Sequence, residues 1–408
     1  MSMVIFSPYF PPHVGGVEAY VDEFLTVCTP RRAGGPITVV TTRLPPEAPV
    51  FETTKAGVAV WRLPSVEAIP NFPVPQIWSP RLWRVLRRAL SRRPTVIVTH
   101  TRFFTTTLLG WAVARRTGAR WVHVEHGSDF VQLGSRPAAF VAWAYDHTLG
   151  RLVLRRADVC VAISRAAAGF ASELSGRAPT VLYRGVDVAR LASARPDREL
   201  ARLAGGRPKI AYVGRLIDGK GVADLLEALA RMEGERPFCA LVGDGPRRAD
   251  LERLARARGL DADVRFYGYL PEDEALGIIL AADILVNPSY TEGLPTAVLL
   301  AALCGRAVLA TDVGGTREVI EHERSGLLLP PRDVDRLAAD LARLVGDPAL
   351  RERLGSAARA DAASRFDWEP TVTAFLELAR LSAPAAAAPP SPPPAPAAHR
   401  SEDPDPRS

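Results

Sequence analysis

The 408-residue chain contains no run of about 18 apolar residues, so the sequence predicts no transmembrane helix. Its first residues also lack the basic stretch followed by an apolar stretch that marks a secretory signal peptide. The four cysteines, Cys28, Cys160, Cys239 and Cys304, include no CxxC pair, which argues against a zinc site and a disulfide framework. We therefore expect a cytoplasmic protein whose cysteines are buried small hydrophobic residues.

Two common phosphate-binding patterns are missing as well. Residues 214–221, GRLIDGKG, match neither the Walker A loop nor the GxGxxG dinucleotide fingerprint. D-x-D occurs at 261–263 and 333–335, but the first is expected in a helix-to-strand loop and the second at a helix start. Because neither follows an apolar strand into a cleft, we expect no metal ion, and no cofactor is predicted.

Positive charge is present in excess. The chain has 51 Lys and Arg against 45 Asp and Glu, a net charge of +6 and a pI near 9.4. This charge suits nucleic acid, anionic lipid head groups or a phosphorylated substrate, although an arginine- and alanine-rich composition produces it without any partner. Aromatic residues do not interleave with the basic ones in a recognisable RNA-binding module, so we expect no nucleic-acid partner.

Short β-branched segments alternate with helical stretches along both halves of the chain. They read MVIFS, ITVVTT, VAVWRL, TVIVTH and RWVHVEH, then KIAYVG, FCALVG, VRFYGYL, DILVNPS and RAVLATD. This alternation predicts parallel sheets with helices on both faces. Each half opens with an apolar strand, a glycine-bearing loop and a helix, so we predict an α/β protein of two doubly wound Rossmann-like domains facing an interdomain cleft.

The predicted boundaries follow from the same pattern. Residues 1–190 form an N-terminal domain and 191–365 a C-terminal domain, with a hinge at about 187–206. A C-terminal helix over 366–382 is expected to pack back toward the N-terminal domain. Residues 383–408 contain no aromatic residue and no Val, Ile, Leu or Met, so this Pro/Ala-rich segment is predicted to be a disordered tail.

Two glycine-bearing loops are candidate phosphate sites. A strand delivers Gly214 and Arg215 to its carboxyl edge, and Lys220 precedes a helix. Two cations beside a positive helix end suit a nucleotide pyrophosphate, although they are also compatible with an ordinary surface loop. Gly15 and Gly16, at the first strand-to-helix turn, would let backbone amides approach the same ligand closely.

Two further polar side chains follow strand ends. Glu292 is the one charged residue in TEGLPTAVLLAALCG, ahead of Gly293 and of Pro295 at a helix start. A carboxylate beside free amides suits sugar hydroxyls, whereas the alternative is a glutamate that caps its own helix. His126 follows a strand end and is suited to hold a substrate hydroxyl. His123 lies inside the strand and is expected in the core.

Residues 81–93, RLWRVLRRALSRR, form an amphipathic pattern at helical spacing. The apolar side carries Leu82, Trp83, Val85, Leu86 and Leu90, and the other side carries Arg81, Arg84, Arg87, Arg88 and Arg92. A basic amphipathic helix is typical of contact with an anionic membrane, which would place the protein at the inner face of the cell membrane. Packing of the apolar stripe against the domain itself explains the pattern equally well.

Taken together, these segments resemble the family 4 retaining glycosyltransferases, also called group 1 glycosyltransferases, which adopt the two-Rossmann-domain GT-B fold. The motifs that carry the resemblance are GRLIDGKGVADLLEAL, LVGDGP, VRFYGYLPEDE, ADILVNPSYTEGLPTAVLLAALCGRAVLATDVGGTREVI and RSGLLLPPRD, in order and at matching spacing. The resemblance covers nearly the whole chain before the tail. It implies that the N-terminal domain binds the acceptor and the C-terminal domain binds a nucleotide-sugar donor, a UDP- or GDP-sugar.

The resemblance also implies residue roles. Arg215 and Lys220 would stabilise the departing nucleoside diphosphate without a metal ion, while Glu292 and His126 would lie beside the donor sugar. The donor-binding set would comprise Gly15, Gly16, Gly214, Arg215, Lys220, Tyr269, Glu292, Gly293, Leu294, Pro295 and Leu300. Tyr9 and Arg102 would contact a lipid-linked, polysaccharide or glycolipid acceptor. Transfer would retain the anomeric configuration.

The sequence departs from the family pattern at one important position. Leu300 stands where the Glu-x7-Glu pattern counted from Glu292 has a second glutamate, which would grip the ribose diol. Loss of a charged hydrogen-bond partner costs about 1.5 to 3 kcal/mol, or roughly ten- to a hundredfold in donor affinity. The alternative function is therefore a degenerate sugar-nucleotide-binding protein with weak or no transferase activity. Glu318 could reach toward the donor or begin a helix.

Overall fold

A computed structural model describes residues 1–31, 35–69, 72–130, 136–234 and 236–380. The strands are β1 (Met3–Phe6), β2 (Ile37–Thr42), β3 (Phe51–Thr53), β4 (Ala59–Leu63), β5 (Ser65–Ile69), β6 (Phe72–Pro75), β7 (Val96–His100), β8 (Arg120–Glu125), β9 (Val159–Ala162), β10 (Thr180–Val181), β11 (Lys209–Val213), β12 (Phe238–Val242), β13 (Val264–Gly268), β14 (Ile284–Asn287), β15 (Ala307–Thr311) and β16 (Leu327–Leu329). The helices are α1 (Gly16–Arg31), α2 (Pro80–Ala89), α3 (Thr105–Thr117), α4 (Arg136–Tyr145), α5 (Arg151–Arg156), α6 (Arg165–Ser175), α7 (Val188–Ser193), α8 (Arg198–Ala204), α9 (Val222–Arg231), α10 (Arg248–Ala257), α11 (Glu272–Ala281), α12 (Thr296–Leu303), α13 (Thr316–Val319), α14 (Val334–Gly346), α15 (Pro348–Ala363) and α16 (Trp368–Arg380). The predicted tail, residues 383–408, lies outside the described residues.

The strands form two large sheets. The N-terminal sheet has the order β10-β9-β8-β7-β1-β2-β4-β3, and only β3 runs antiparallel to its neighbour among the described strands. Met3 pairs with Ile37 on one side and Val96 on the other. The C-terminal sheet has the order β13-β12-β11-β14-β15-β16 with parallel pairing. Two parallel sheets covered by helices confirm the predicted fold class.

The central strands are buried on both faces, which is why their sequences are continuous apolar runs rather than alternating ones. Every residue of β1, β7, β12, β14 and β15 is buried. Each fully buried Val, Leu or Ile side chain contributes about 1.5 to 3 kcal/mol relative to exposure. These cores hold the carboxyl ends of both sheets in fixed positions.

The last helix returns to the N-terminal domain. The indole of Trp368, at the start of α16, donates a hydrogen bond of 3.0 Å to Glu23 of α1. The rings of Phe24 and Phe375 meet edge to face with centroids 4.9 Å apart. A backbone bridge also joins Val186 to Asp367. The chain therefore crosses between the domains at two adjacent points.

Helix α2 uses most of its apolar stripe in the core. Leu82 and Leu86 are buried, whereas the indole-bearing side chain of Trp83 is 48% exposed. The apolar stripe therefore packs in the core through Leu82 and Leu86, while Trp83, at one edge of the stripe, stays about half exposed. No helix in the described part of the chain is long and apolar enough to cross a membrane.

The remaining predictions about cysteines and carboxylates can be placed. Cys304 is half-buried whereas the other three cysteines are buried, and all four are free thiols. Burial raises the pKa of the Cys304 thiol to about 11. Asp263 forms an ion pair with Arg207 at 2.6 Å, and Asp333 caps the start of α14. Both D-x-D segments thus have structural roles.

Candidate active site

The carboxyl ends of the two sheets meet in a cleft whose walls touch. The hydroxyl of Ser128, in the loop after β8, donates a 2.6 Å hydrogen bond to the carbonyl oxygen of Glu292. A side chain at Gly293 would collide with the carbonyl oxygen of His126. Glycine at this position is therefore what allows the two loops, one from each domain, to close on each other.

Lys220 and Glu292 form the charged centre of the cleft. The Lys220 ammonium lies 2.6 Å from Oε1 of Glu292, and the Asn287 amide nitrogen lies 3.5 Å from the same oxygen. Gly221 follows Lys220 with a positive φ of 63°, and a side chain there would collide with the Pro288 carbonyl. The loop that carries the lysine is thus packed directly against the loop that leads to the carboxylate.

Arg215 lies near enough to the N-terminal domain for its charge to act on Tyr9. The Tyr212 hydroxyl donates a 2.9 Å hydrogen bond to the Arg215 carbonyl and holds the loop at the end of β11. Burial raises the pKa of Tyr9, Glu18 adds to the increase, and the nearby Arg215 charge opposes it. Within the described residues Arg215 has no ion-pair partner. It is therefore a cation available to a ligand in the cleft.

The first turn of α1 supplies the opposite wall. A side-chain carbon at Gly16 would meet no protein atom within 4 Å, so the fold itself does not demand glycine there. Beside it, Glu18 is 3% exposed and contacts Nδ1 of His13, whose ring stacks on Tyr9 at 4.3 Å. The His13–Glu18 pair was not predicted, although its five-residue spacing spans Gly15 and Gly16.

His126 is held as a neutral imidazole. Its Nε2 lies 3.0 Å from Nδ1 of His100, and its ring meets that of Tyr20 edge to face. Burial lowers the pKa of His126 to about 3, and burial also holds the pKa of His100 well below its usual range. Each neutral imidazole has one N–H and one unprotonated nitrogen, so one histidine of the pair donates a hydrogen bond to the other and neither ring needs a charge. His100, at the end of β7, was not predicted.

Comparison with known sequences identifies the family. Residues 195–361 match the family described as glycosyl transferases group 1, and residues 15–185 match the glycosyl transferase 4-like domain. An uncharacterized glycosyltransferase of Methanocaldococcus jannaschii is 32% identical over 388 residues, which are 93% of this chain and 98% of that protein. The chain is a group 1 glycosyltransferase. A D-inositol 3-phosphate glycosyltransferase of Saccharomonospora viridis is 28% identical over 389 residues, 90% of this chain and 89% of that one.

Solved structures share the fold of this group 1 glycosyltransferase. Sucrose-phosphate synthase from Thermosynechococcus elongatus is similar with a TM-score of 0.77 at 23% identity, over 93% of this chain and 98% of that one. Anabaena HepE, solved in complex with UDP-glucose, gives a TM-score of 0.72 at 20% identity, over 92% and 100% of the respective chains. At these identities the likeness establishes the GT-B fold alone.

Four of the predicted donor residues, Leu294, Pro295, Leu300 and Tyr269, lie in different environments. Pro295 precedes α12, and no side chain caps the first amides of that helix. Such free amides suit an anionic group. Leu294 is buried, Leu300 is half-buried against the core, and Tyr269 is 53% exposed just after β13. Leu300 therefore contributes packing rather than a polar group.

Arg102 is placed differently from its prediction. Its side chain is buried, with hydrogen bonds to both oxygens of Asp146 and to Glu125 between 2.9 and 3.0 Å. The remaining contact of its terminal nitrogen is to the carbonyl of Asp129. Because the residue is only 1% exposed and four of its five side-chain N–H groups already have partners inside the domain, Arg102 does not present its charge to an acceptor in the cleft. Arg102 forms a buried polar cluster with Glu125 and Asp146. This cluster positions the loop after β8 instead.

Two further residues join the domains of the transferase. Glu318 does not point to the donor; its carboxylate accepts hydrogen bonds of 2.7 and 2.8 Å from the backbone amides of Arg165 and Ala166, the first turn of α6. Arg184, just ahead of the predicted hinge, donates to Thr296 of α12 and to Glu23 of α1, both at 2.8 Å. These contacts join the two domains through two separate sets of hydrogen bonds.

Proposed function

We propose that this protein is a retaining glycosyltransferase that moves a sugar from a UDP- or GDP-sugar to a lipid-linked, polysaccharide or glycolipid acceptor without a metal ion. The observation that carries the proposal is the 2.6 Å contact between Lys220 and Glu292, with the unpaired Arg215 in the same cleft. Support comes from relatives: HepE was solved with UDP-glucose, and the Saccharomonospora viridis relative is named a D-inositol 3-phosphate glycosyltransferase.

In the proposed donor complex the diphosphate lies between Arg215, Lys220, the Gly16 amide and the first amides of α12. These groups neutralise the negative charge that develops as the sugar–phosphate bond breaks. When the donor binds, the Lys220 ammonium moves from Glu292 to the phosphate. The Glu292 carboxylate is then free to accept hydrogen bonds from sugar hydroxyls. Two cations supply the positive charge that a metal ion would otherwise supply. We expect activity to persist in EDTA.

Retention of configuration requires the acceptor hydroxyl to arrive on the face from which the diphosphate leaves. The Tyr9 side of the N-terminal domain lies opposite Arg215, so an acceptor held there would stand beside the leaving diphosphate. His13 and Glu18, in contact with each other next to Tyr9, are the polar groups available to orient that hydroxyl. His126, neutral and half-buried, would border the sugar.

The surface of α2 supports a lipid-linked acceptor. Arg84 and Arg88 are exposed and form no ion pair with any described residue. Beside them Ile77, Trp78 and Trp83 are 58%, 67% and 48% exposed, and the Trp83 indole donates to the Ile77 carbonyl. Exposed tryptophans among arginines fit the interface of an anionic bilayer. We propose that this surface holds the enzyme peripherally at the inner face of the cell membrane.

Donor choice is tested by thermal stabilisation with UDP-, GDP- and ADP-sugars, followed by product formation with the donor that raises Tm. NMR of the product anomeric proton then reports whether configuration is retained. A product of inverted configuration would contradict the retaining proposal.

The second candidate is a sugar-nucleotide-binding protein without turnover, and the observation that favours it is Leu300. Binding and catalysis separate the two. A donor that raises Tm but yields neither hydrolysis nor transfer, with acceptors extracted from membranes present, would favour the binding protein.

A further inference from the structure

A cavity lies at the end of the N-terminal domain opposite the candidate active site. It has a volume of about 640 Å³ and is lined by residues at the amino ends of β7 and β8 and at the last turns of α3, α5 and α16. The candidate active site lies at the carboxyl ends of the same strands. Because a five-residue strand spans about 17 Å, the two sites are separate. A volume of this size is typical of sites for small molecules.

The charges around this basal cavity are strongly one-sided. Arg115, Arg120, Arg156 and Arg380 line it, and none of them forms an ion pair with a described residue. The single carboxylate in the lining, Asp158, already accepts a 2.8 Å hydrogen bond from the backbone amide of Trp121. Four cations around one committed carboxylate leave a net charge near +3, which favours an anion.

Helix ends explain only part of this arrangement. Arg115, Arg156 and Arg380 each lie in the last turn of a helix, where a cation interacts favourably with the helix dipole. Arg120 instead opens β8 and gains nothing from a helix end. Its Nε and Nη1 are buried without a hydrogen-bond acceptor, and it is the one described side chain with two such atoms. An anion in the cavity would balance this uncompensated charge.

The cavity also offers an aromatic surface. The rings of Trp111 and Trp121 stack with centroids 6.1 Å apart, and Trp111 is the half-buried member. We propose that the basal cavity is a binding site for a phosphorylated small molecule, whose phosphate lies among the arginines and whose flat or apolar part lies against Trp111. Arginine forks match phosphate geometry with paired hydrogen bonds.

Binding at this site would affect how firmly α16 packs on the N-terminal domain. Ala379 and Arg380 belong to α16, which starts from the C-terminal domain and packs on α1. A phosphate shared by Arg380 and Arg156 would tie the end of α16 to the N-terminal domain. The ligand should therefore stabilise the docked helix, independently of whether the proposed donor site is correct.

The test uses the full chain with phenyl phosphate and inorganic phosphate as probes, followed by tryptophan fluorescence and by Tm. We expect phenyl phosphate to bind more tightly than phosphate and to raise Tm. Arg120→Gln should weaken phenyl phosphate binding about tenfold to a hundredfold, the loss of one charged hydrogen-bond partner. Arg115→Gln and Arg156→Gln, on exposed helix turns where folding is not at risk, should weaken it in the same direction.

Matched controls come from the next residues along the same helices. Arg116→Gln and Arg155→Gln remove equal charge from residues that do not line the cavity, and they should leave affinity unchanged. Equal losses in the controls, or unchanged affinity in all three cavity variants, would overturn the proposal. Phosphatidylglycerol vesicles distinguish the source: binding that Arg115→Gln weakens but Arg116→Gln does not would assign the phosphate to a lipid head group rather than a soluble metabolite.

Discussion

The two domains differ in net charge and in how some of their arginines are paired. In the C-terminal domain Arg248, Arg324 and Arg343 each engage carboxylates at 3.2 Å or closer. In the N-terminal domain Arg84 and Arg88 engage none among the described residues. Residues 1–190 contain 23 Lys and Arg and 12 Asp and Glu, a net +11, whereas 191–365 contain 25 and 27, a net −2. The positive excess therefore belongs to the N-terminal domain.

Exposed apolar side chains follow the same division. Among the described residues the large exposed hydrophobic side chains include Val14, Val50, Phe51, Val66, Ile77, Trp78, Trp83, Phe130, Phe140, Val141, Trp143, Leu149 and Tyr269. Only Tyr269 lies in the C-terminal domain, and it was predicted as a donor-binding residue. Isolated exposed residues are ordinary, but aromatic residues grouped with unpaired cations mark an interaction surface. Among the described residues, the exposed apolar side chains that could form such a surface are therefore concentrated in the N-terminal half.

The strongest way to test the donor role of the C-terminal half is to remove its charged centre. Lys220→Ala should lower kcat about 10²- to 10³-fold, since it removes a group that stabilises the leaving diphosphate. Glu292→Ala should lower kcat similarly, because it removes the carboxylate that accepts hydrogen bonds from the donor sugar. Both changes are measured as initial rates with saturating donor, and Tm checks the fold.

The matched control is Lys209→Ala. Lys209 forms a comparable ion pair with Asp283 at 2.8 Å, at the opposite end of the same sheet. It should leave kcat within about twofold of the wild-type protein, because it lies at the amino end of β11 away from the cleft. Full activity in Lys220→Ala would contradict the assignment of the charged centre.

The next effect concerns the missing ribose clamp. Leu300→Glu should lower the donor KM about tenfold to a hundredfold if the glutamate reaches the ribose diol, in line with the strength of a charged hydrogen bond. Leu300→Gln serves as the neutral control, with a smaller gain. An unchanged KM in both variants would mean that this transferase holds its nucleotide through other residues. The measurement is steady-state kinetics with the donor selected by thermal shift.

The fold was largely predictable because its signal is local. Central strands such as β1, β7 and β14 are continuous apolar runs, and each is followed by a helix at short distance. The hairpin of β5 and β6 was missed because prolines and a glutamate interrupt its alternation. β16 was missed since its three leucines are too short a run to distinguish from a helix.

The site was only partly predictable, since contacts between distant segments leave no mark in spacing. Lys220 and Glu292 were both singled out, but their 2.6 Å contact across 72 residues could not be derived from the sequence. Arg102 was misplaced because burial is decided by Glu125 and Asp146, which pair with it only in the folded domain. For Arg102, therefore, residue type alone was a poor guide to function.

A smaller effect tests the surface of the N-terminal half. Arg84→Gln and Arg88→Gln should each weaken binding to phosphatidylglycerol vesicles about fivefold, since an arginine near an anionic surface contributes about 1 kcal/mol. Flotation at low salt measures it, and raising the salt should reduce the difference. Arg256→Gln is the control, an exposed arginine of α10 in the other domain without a described ion pair. Equal losses in all three would show that charge alone, and not this surface, causes binding.

The smallest effect concerns stability against acid, where the N-terminal half is again the sensitive one. Burial lowers the pKa of His126 to about 3; Arg184 and His123 lower it as well, while Glu125 opposes them, and His100 lies 3.0 Å away. A histidine with a depressed folded pKa binds fewer protons in the native state than in the unfolded state, whose pKa is about 6.5. Stability present above pH 6.5 should therefore be lost as the pH falls toward 3.

Thermal unfolding between pH 7 and pH 4 measures this loss. His126→Gln should flatten the fall of Tm with decreasing pH, because glutamine keeps a hydrogen-bonding group but takes up no proton. His322→Gln, a change of a histidine whose side chain is 44% exposed in the C-terminal domain, is the comparison for loss of a ring outside the His100–His126 pair. If both variants follow the wild-type curve, the acid sensitivity resides elsewhere. His100, which shares the buried pair and whose pKa is also depressed by burial, would be the next residue to replace.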